Sequence, residues 1–337
     1  MKKRLLYIGN NLSGKSKTAT TIETLSTLLQ EEGYEVVSAS SIDNKLFRLI
    51  DMLWITFKNR NKVDLVLIDT YSTQNFQYAL AVAKVCRVFK MPYIPILHGG
   101  NLPARLKKSP KQSKKLFANA TTNIAPSNYL LEAFVKEGFT NITYIPNTIE
   151  IKNYPFLLRE KVKAKLLWVR SFAELYNPFL AIEIVEELQK KNIEVSLCMV
   201  GPEKDGSLEK CKKLAKEKKL PITFTGILQK AAWIELSKEY DIFVNTTNFD
   251  NTPVSVIEAM ALGLPIISTN VGGLPYLIED KKTGILLVPN NVQVFVDAIT
   301  NLISNPNKAA KLAKNAKTEV EQFDWDVVKE KWDEVLG

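Results

Sequence analysis

The chain has 337 residues, 46% of them apolar, and a formal net charge of +9, which is enough sequence for two ordinary domains with sizeable cores. No stretch approaches the roughly 18 apolar residues of a spanning helix, and the apolar run behind Lys2, Lys3 and Arg4 is too short for a secretory signal. A cytoplasmic protein is therefore expected. Three widely spaced cysteines, Cys86, Cys198 and Cys211, form no CxxC or Cys/His cluster, so reduced thiols are expected in place of a disulfide frame or a zinc site.

The first element is a short apolar strand, Arg4 to Ile8, followed by "GNNLSGKS", which fits the phosphate-loop pattern from Gly9 to Ser16. A helix is expected over Lys17 to Gln30. Strand, glycine turn and helix N-terminus together aim amides and a positive dipole end at an anion. "VDLVLIDT" puts Asp69 at the end of another apolar strand, where a phosphate-loop enzyme would hold magnesium. A phosphate-loop ATPase or kinase is thus one reading, unless Asp69 simply ends a parallel strand in a polar turn.

Further strands are expected at Tyr34 to Ser38, Leu65 to Asp69, Tyr93 to Leu97, Asn123 to Ala125 and Thr143 to Ile145, with a helix over Gln74 to Phe89. Such alternation marks a parallel sheet with crossover helices. The sole histidine, His98 in "PILHGG", stands at the carboxyl end of one of these strands, where α/β sites concentrate. The alternative is a histidine capping a glycine-rich turn.

Charge is uneven. Residues 1–150 hold 20 Lys and Arg against 11 Asp and Glu, while residues 151–337 hold 25 of each kind. The densest run, "RLKKSPKQSKK" from Arg105 to Lys115, has six cations and no anion. It reads as a solvated face or as a contact with an anionic membrane surface. Without interleaved aromatics for base stacking, no nucleic-acid partner is expected.

After a polar, irregular stretch, Asn147 to Lys163, the alternation restarts. Strands are expected at Lys165 to Val169, Glu194 to Val200, Pro221 to Thr225, Asp241 to Asn245, Pro265 to Ser268 and Gly284 to Val288. Two doubly wound units joined by a linker would form a cleft at the carboxyl ends of their sheets. A single phosphate-loop domain would not explain the second half.

That half contains "DIFVNTTNFDNTPVSVIEAMALGLPIISTNVGGLPYLI". Thr252 fits an N-cap and Pro253 the first helical position, which places the amides of Val254 and Ser255 at the positive end of a helix dipole, suited to a diphosphate. Glu258, among small apolar neighbours, needs a hydrogen-bonding partner. Ligand hydroxyls are one answer and a core Arg or Lys another. Asp250 lies in the loop beside the same helix end.

The segment from Asp250 to Ile278 resembles the signature of the retaining GT-B glycosyltransferases, the large family four. In that signature an acid, seven residues and a Glu precede Ala-Met-Ala, a Gly-x-Pro turn and a Gly-Gly loop. The resemblance extends through "SNYLLEAFVKEGFTNITYIPNTIE" and the final "FDWDVVKEKWDEVL", an amphipathic segment with Val328, Trp332 and Val335 on one face. It implies an α/β chain of two doubly wound Rossmann-like domains: residues 1–150 binding the acceptor, 165–320 binding a nucleotide sugar, and 321–337 crossing back as a helix. Glu258 would hold the ribose and Asp250 the donor-sugar hydroxyls. The amides near Val254 and Ser255 would hold the diphosphate, with Asn251, Thr252 and Pro253 further donor-binding residues, and His98 would contact the donor sugar or lie beside the acceptor hydroxyl. Arg170, Gly201, Gly14 and Lys15 are further donor-binding candidates.

Three departures from the family pattern stand out. Asp250 replaces the commoner Glu, and Pro253, without an N–H, replaces a frequent Gly. Arg170 is displaced by one position, while Tyr176 and Asn177 stand where Lys-Gly is expected. The second cation on the leaving diphosphate is thus missing, with Lys15 one candidate substitute. The resemblance implies transfer of a sugar from a nucleotide-diphosphate donor to a hydroxyl acceptor, with retention and without a cofactor or metal. The basic first half is consistent with a glycan or lipid-linked acceptor at the inner membrane face. A GT-B protein that binds a nucleotide sugar without transferring it is the other alternative.

Overall fold

The computed structural model describes residues 2–11 and 20–337, and the chain divides into two compact units, residues 1–146 with 328–337, and residues 147–327. Gly14 and Lys15 lie outside the described residues.

Unit 1 runs β1 (Arg4–Ile8), α1 (Thr21–Glu31), β2 (Glu35–Ala39), α2 (Lys45–Lys58), β3 (Leu65–Thr70), α3 (Asn75–Val88), β4 (Tyr93–Leu97), α4 (Leu102–Lys108), α5 (Pro110–Phe117), β5 (Asn123–Ala125), α6 (Asn128–Lys136) and β6 (Ile142–Tyr144). All pairings are parallel, in the order β2-β1-β3-β4-β5-β6. Every residue of β3 and of β4 is buried, as apolar runs must be when helices cover both faces of a parallel sheet. The chain leaves β1 toward β2 and β3 toward β4, so the order reverses between β1 and β3, where doubly wound folds bind ligands.

Unit 2 runs β7 (Ala164–Val169), α7 (Pro178–Lys190), β8 (Val195–Val200), α8 (Ser207–Glu217), β9 (Ile222–Gly226), α9 (Lys230–Leu236), β10 (Ile242–Asn245), α10 (Val254–Ala261), β11 (Ile266–Thr269), α11 (Leu274–Leu277), β12 (Ile285–Leu287), α12 (Val292–Ser304) and α13 (Pro306–Val320). A last helix, α14 (Trp325–Leu336), starts in this unit and ends in unit 1. The second parallel sheet has the order β12-β11-β10-β7-β8-β9, reversing between β7 and β10.

Three expectations are corrected. First, α1 begins at Thr21 instead of Lys17. Thr20 is extended, and its amide donates to Glu23 Oε2 at 2.7 Å. The N-terminus of α1 is therefore five residues past Ser16 and already met by its own carboxylate, while most of the phosphate-loop match lies outside the described residues. Second, Asn147 to Lys163 belongs to unit 2 and is no free linker. Tyr154 and Val162 are buried, and the Arg159 guanidinium donates to the carbonyls of Leu157, Ser237, Tyr240 and Leu262 at 2.7–3.1 Å. Burial lowers its pKa to about 10, with Asp241 pulling the other way. Third, the basic run is not one uniform face. Arg105 turns inward and donates to the Ser72 carbonyl from Nε and a terminal nitrogen (3.0 and 2.6 Å), while Lys107, Lys108, Lys111, Lys114 and Lys115 are exposed on α4 and α5.

Candidate active site

In unit 2 the loops after β7 and β10 meet at the strand-order reversal. They are tied together by hydrogen bonds onto backbone carbonyls: Asn248 N donates to that of Leu175 (2.8 Å), and the Thr246 side-chain Oγ1 to that of Asn177 (2.8 Å). Trp168 Nε1 in turn donates to Thr246 Oγ1 at 3.0 Å. This bracing brings Arg170 and Asp250 into an ion pair, both side chains only 15% exposed. The guanidinium also lies under the Tyr176 ring, 4.4 Å from its centroid. Burial lowers the Arg170 pKa, and Tyr176 acts in the opposite direction. Tyr176 thus supplies no second cation; it orients the one that is present. Asn177 takes the left-handed conformation (φ 46°), as the expected Gly could, and its side chain caps α7 by accepting from Leu180 N. Asn is among the residues that tolerate this conformation best.

Gly201 explains itself by steric contact. A Cβ there would lie 1.7 Å from the Arg170 carbonyl oxygen, so the end of β8 can pass beneath Arg170 only without a side chain. Asp250 is fixed from both sides, its Oδ1 accepting from Asn251 N (2.8 Å) and its carbonyl from Gly273 N (3.0 Å).

The helix behind this loop starts one residue later than expected. Pro253 (φ −69°, ψ 116°) is the N-cap, and its carbonyl accepts the first helical bond, from Val256 N at 3.0 Å. Thr252 lies one position before the cap, and its carbonyl accepts from Asn147 Nδ2 (2.9 Å). The missing N–H of proline costs nothing at this position, and the amides of Val254 and Ser255 precede the bonded ladder. Arg170 Nε and Ser255 Oγ are buried with no hydrogen-bond partner among the described residues. Two orphan donors beside an open helix end fit an oxygen-rich anion.

Glu258 is 3% exposed on the inner face of α10. Tyr154 OH donates to its Oε1 at 2.8 Å, and Lys230, the first residue of α9, pairs with the same oxygen. The lysine partner weighed from sequence is therefore present, although Lys230 is half exposed and not a core residue. Burial first and Glu258 second push the Tyr154 hydroxyl far above the ordinary tyrosine range, so it stays a donor. Neither Tyr154 nor Lys230 carried a local signal: one sat in an apparent linker, the other in an ordinary helix start.

In unit 1, His98 and Asp69 come from the ends of adjacent strands β4 and β3. His98 N donates to the Thr70 carbonyl (2.9 Å), and its Nε2 lies 2.6 Å from Asp69 Oδ1. Tyr7 OH donates to the same oxygen (2.9 Å), and the Tyr71 ring lies 5.1 Å from the imidazole. Burial, then Asp69, raises the pKa of both tyrosines. Asp69 is thus the partner of His98 and not an open magnesium ligand. Gly9 is the neighbour that permits this, because a Cβ there would meet Asp69 Oδ2 at 2.3 Å. A small cavity at the β1/β3 reversal is lined by Gly9, Asn10, Asp69, Tyr71 and Asn75.

Comparison with known proteins gives one family-profile match, confined to unit 2, and similar structures for the whole chain. Residues 152–319 match the family profile of glycosyl transferases group 1. The sulfoquinovosyl transferase SQD2 of Arabidopsis thaliana is 31% identical over 152 residues, covering 43% of this chain and 28% of that protein. The chain therefore spans well under half of that relative's length. The structure of sucrose-phosphate synthase from Thermosynechococcus elongatus superposes with a TM-score of 0.82 at 16% identity, covering 99% of this chain and 98% of that one. Anabaena HepE in complex with UDP and glucose gives 0.76 at 18% identity, with 99% of each chain covered. The architecture is the GT-B fold.

Proposed function

We propose, from the match of residues 152–319 to the glycosyl transferases group 1 profile, that the chain transfers a sugar from a nucleoside-diphosphate donor to a hydroxyl acceptor with retention of configuration. The observation that carries this reading is the Arg170–Asp250 pair beside the open N-terminus of α10. Without donor, Arg170 neutralises Asp250. A diphosphate would take the free Nε of Arg170, the Ser255 hydroxyl and the amides of Val254 and Ser255. Asp250, partly released, would then accept from hydroxyls of the donor sugar.

Glu258 would accept from the ribose hydroxyls, held in place by Tyr154 and Lys230. As the glycosidic bond to phosphate opens, negative charge grows on the departing diphosphate, and Arg170 with the helix end stabilises it. No metal is needed in this scheme, since those groups do the metal's electrostatic work. His98, oriented by Asp69, would stand at the acceptor hydroxyl or the donor sugar. HepE was captured with UDP and glucose, which makes uridine donors the first to test. We place the acceptor among glycans or lipid-linked glycans at the inner membrane face.

Turnover of UDP-, GDP-, ADP- and dTDP-sugars, with and without EDTA, tests the reading, with the anomeric configuration of the product read by NMR. A retained anomer formed in EDTA is expected; an inverted product or strict metal dependence contradicts the scheme. Tight binding without turnover would instead favour a nucleotide-sugar-binding protein, a reading supported by Tyr176 in the position of the expected lysine.

A further inference from the structure

The helix α2, "KLFRLIDMLWITFK", turns a row of large apolar side chains outward. Leu46, Phe47, Ile50 and Trp54 are 64%, 60%, 53% and 60% exposed, and Phe57 continues the row one turn on. Spaced at three, four and seven residues, they form one stripe of the helix. Buried Met52 and Thr56 hold the opposite side, so the stripe is not a misplaced core. At its end Phe57 packs edge-on against Phe89, itself exposed beside Val88 at the end of α3 (5.4 Å between centroids). Single exposed apolar residues are ordinary; a contiguous stripe of this size marks an interaction surface.

The charge around the stripe is predominantly positive, with exposed Asp43 just before α2 and exposed Glu132 and Glu137 on and at the end of α6 as its acids. No Asp or Glu occurs between Asp69 and Glu132, while that span holds nine Lys and Arg. Right-handed crossovers carry α2, α3 and α5 to one face of the sheet, where α2 packs on α3 and α3 on α5. The exposed lysines of α4 and α5 (Lys107, Lys108, Lys111, Lys114, Lys115) therefore share a face with the apolar row, joined by Lys45, Lys58 and Lys90. The one acid within α2, Asp51, is turned toward Ser40, whose hydroxyl donates to it.

We propose that this face of unit 1 docks on an anionic lipid bilayer, with Leu46, Phe47, Ile50, Trp54 and Phe57 entering the headgroup–acyl boundary and the α4–α5 lysines meeting the lipid phosphates. Apolar side chains flanked by an excess of cations are what an interfacial helix requires. The proposal gives the membrane-side acceptor its residues and rests on that reading only for its purpose. Docking needs none of the transfer chemistry, so vesicle binding and transfer to a soluble acceptor fail independently.

Of the five tryptophans only Trp54 is exposed; the others are at most 5% exposed. The full chain is mixed with phosphatidylcholine vesicles with or without phosphatidylglycerol. Co-sedimentation and a blue shift of tryptophan emission are expected with the anionic vesicles, weakening as salt rises. Trp54→Phe should keep binding and lose the shift. Ile50→Glu with Trp54→Glu should lower partitioning by at least about tenfold, and Lys111→Glu, Lys114→Glu and Lys115→Glu together should abolish the preference for anionic lipid. Unchanged melting temperatures show that these surface variants are folded. Absence of sedimentation, or binding unaffected by the glutamates on α2, overturns the proposal. So does a dimer in sedimentation velocity that Trp54→Glu splits, because the stripe would then belong to a second copy.

Discussion

Both units are doubly wound parallel sheets, split into two and four strands at the reversal of strand order in unit 1 and into three and three in unit 2, and they use that reversal differently. Unit 2 places Asp250 against a largely enclosed Arg170 beside a helix end whose first amides precede the bonded ladder. Unit 1 places Asp69 against His98 and Tyr7, and its nearest helix end is already met by Glu23. One arrangement is poised for an anion, the other for holding an imidazole in one orientation. The doubly wound sheet determines where a ligand sits, and the residues at the strand ends determine what kind it is.

Removing the cation of unit 2 should have the largest effect on that contrast. Arg170→Ala is expected to lower kcat about 100- to 1,000-fold, as loss of one preorganised stabiliser of transition-state charge does. It should also destabilise unit 2 by about 3 kcal/mol, because Asp250 is left buried without its partner. Activity within tenfold of the parent would return the two units to equal standing. Next is Glu258→Gln, which keeps the shape but weakens acceptance from Tyr154 and Lys230. We expect donor KM to rise by about tenfold, near 1.4 kcal/mol, with kcat little changed; the reverse split would assign Glu258 to the chemistry.

Asp69→Asn sharpens the account of unit 1. A positioning carboxylate predicts a kcat loss of about tenfold or more with an altered pH profile, whereas an unaltered profile would make Asp69 only a packing residue. The smallest effect belongs to Asp333 on α14. Tyr34 first and Lys2 next hold its carboxyl below the usual range, with Tyr34 OH donating at 2.7 Å. A depressed folded pKa means the contribution is present above the unfolded value of about 4 and is lost as pH falls through the lower folded value. Half-exposed as it is, Asp333→Asn should cost no more than about 1 kcal/mol at neutral pH, and a melting series from pH 7 to acid should show the difference vanish.

The strands were legible because parallel-sheet segments are short apolar runs bounded by turns. Tyr93–Leu97 and Asn123–Ala125 fall where alternation and turn residues put them. Arg170, Asp250 and Glu258 were legible from the family pattern, and the structure brings Arg170 and Asp250 together. What escaped was partnership across the chain. Tyr154 and Lys230 stand 104 and 28 residues from Glu258, and no periodicity links them. The start of α1 was misread because the glycine motif suggested a helix directly behind it, when Thr20 and Glu23 supply the cap. In α2, apolar residues occur nearly all round, so spacing alone could not say which would face water.

The central claim is that the donor site is built on Arg170 and α10 and not on the opening glycine loop. Thermal protection of the parent, Arg170→Ala and Lys15→Ala chains against a panel of UDP-, GDP-, ADP- and dTDP-sugars and ATP with magnesium tests it most directly. The account predicts stabilisation by at least one nucleotide sugar, lost in Arg170→Ala and kept at least in part in Lys15→Ala. Stabilisation by ATP with magnesium alone, abolished in Lys15→Ala and untouched in Arg170→Ala, would contradict it.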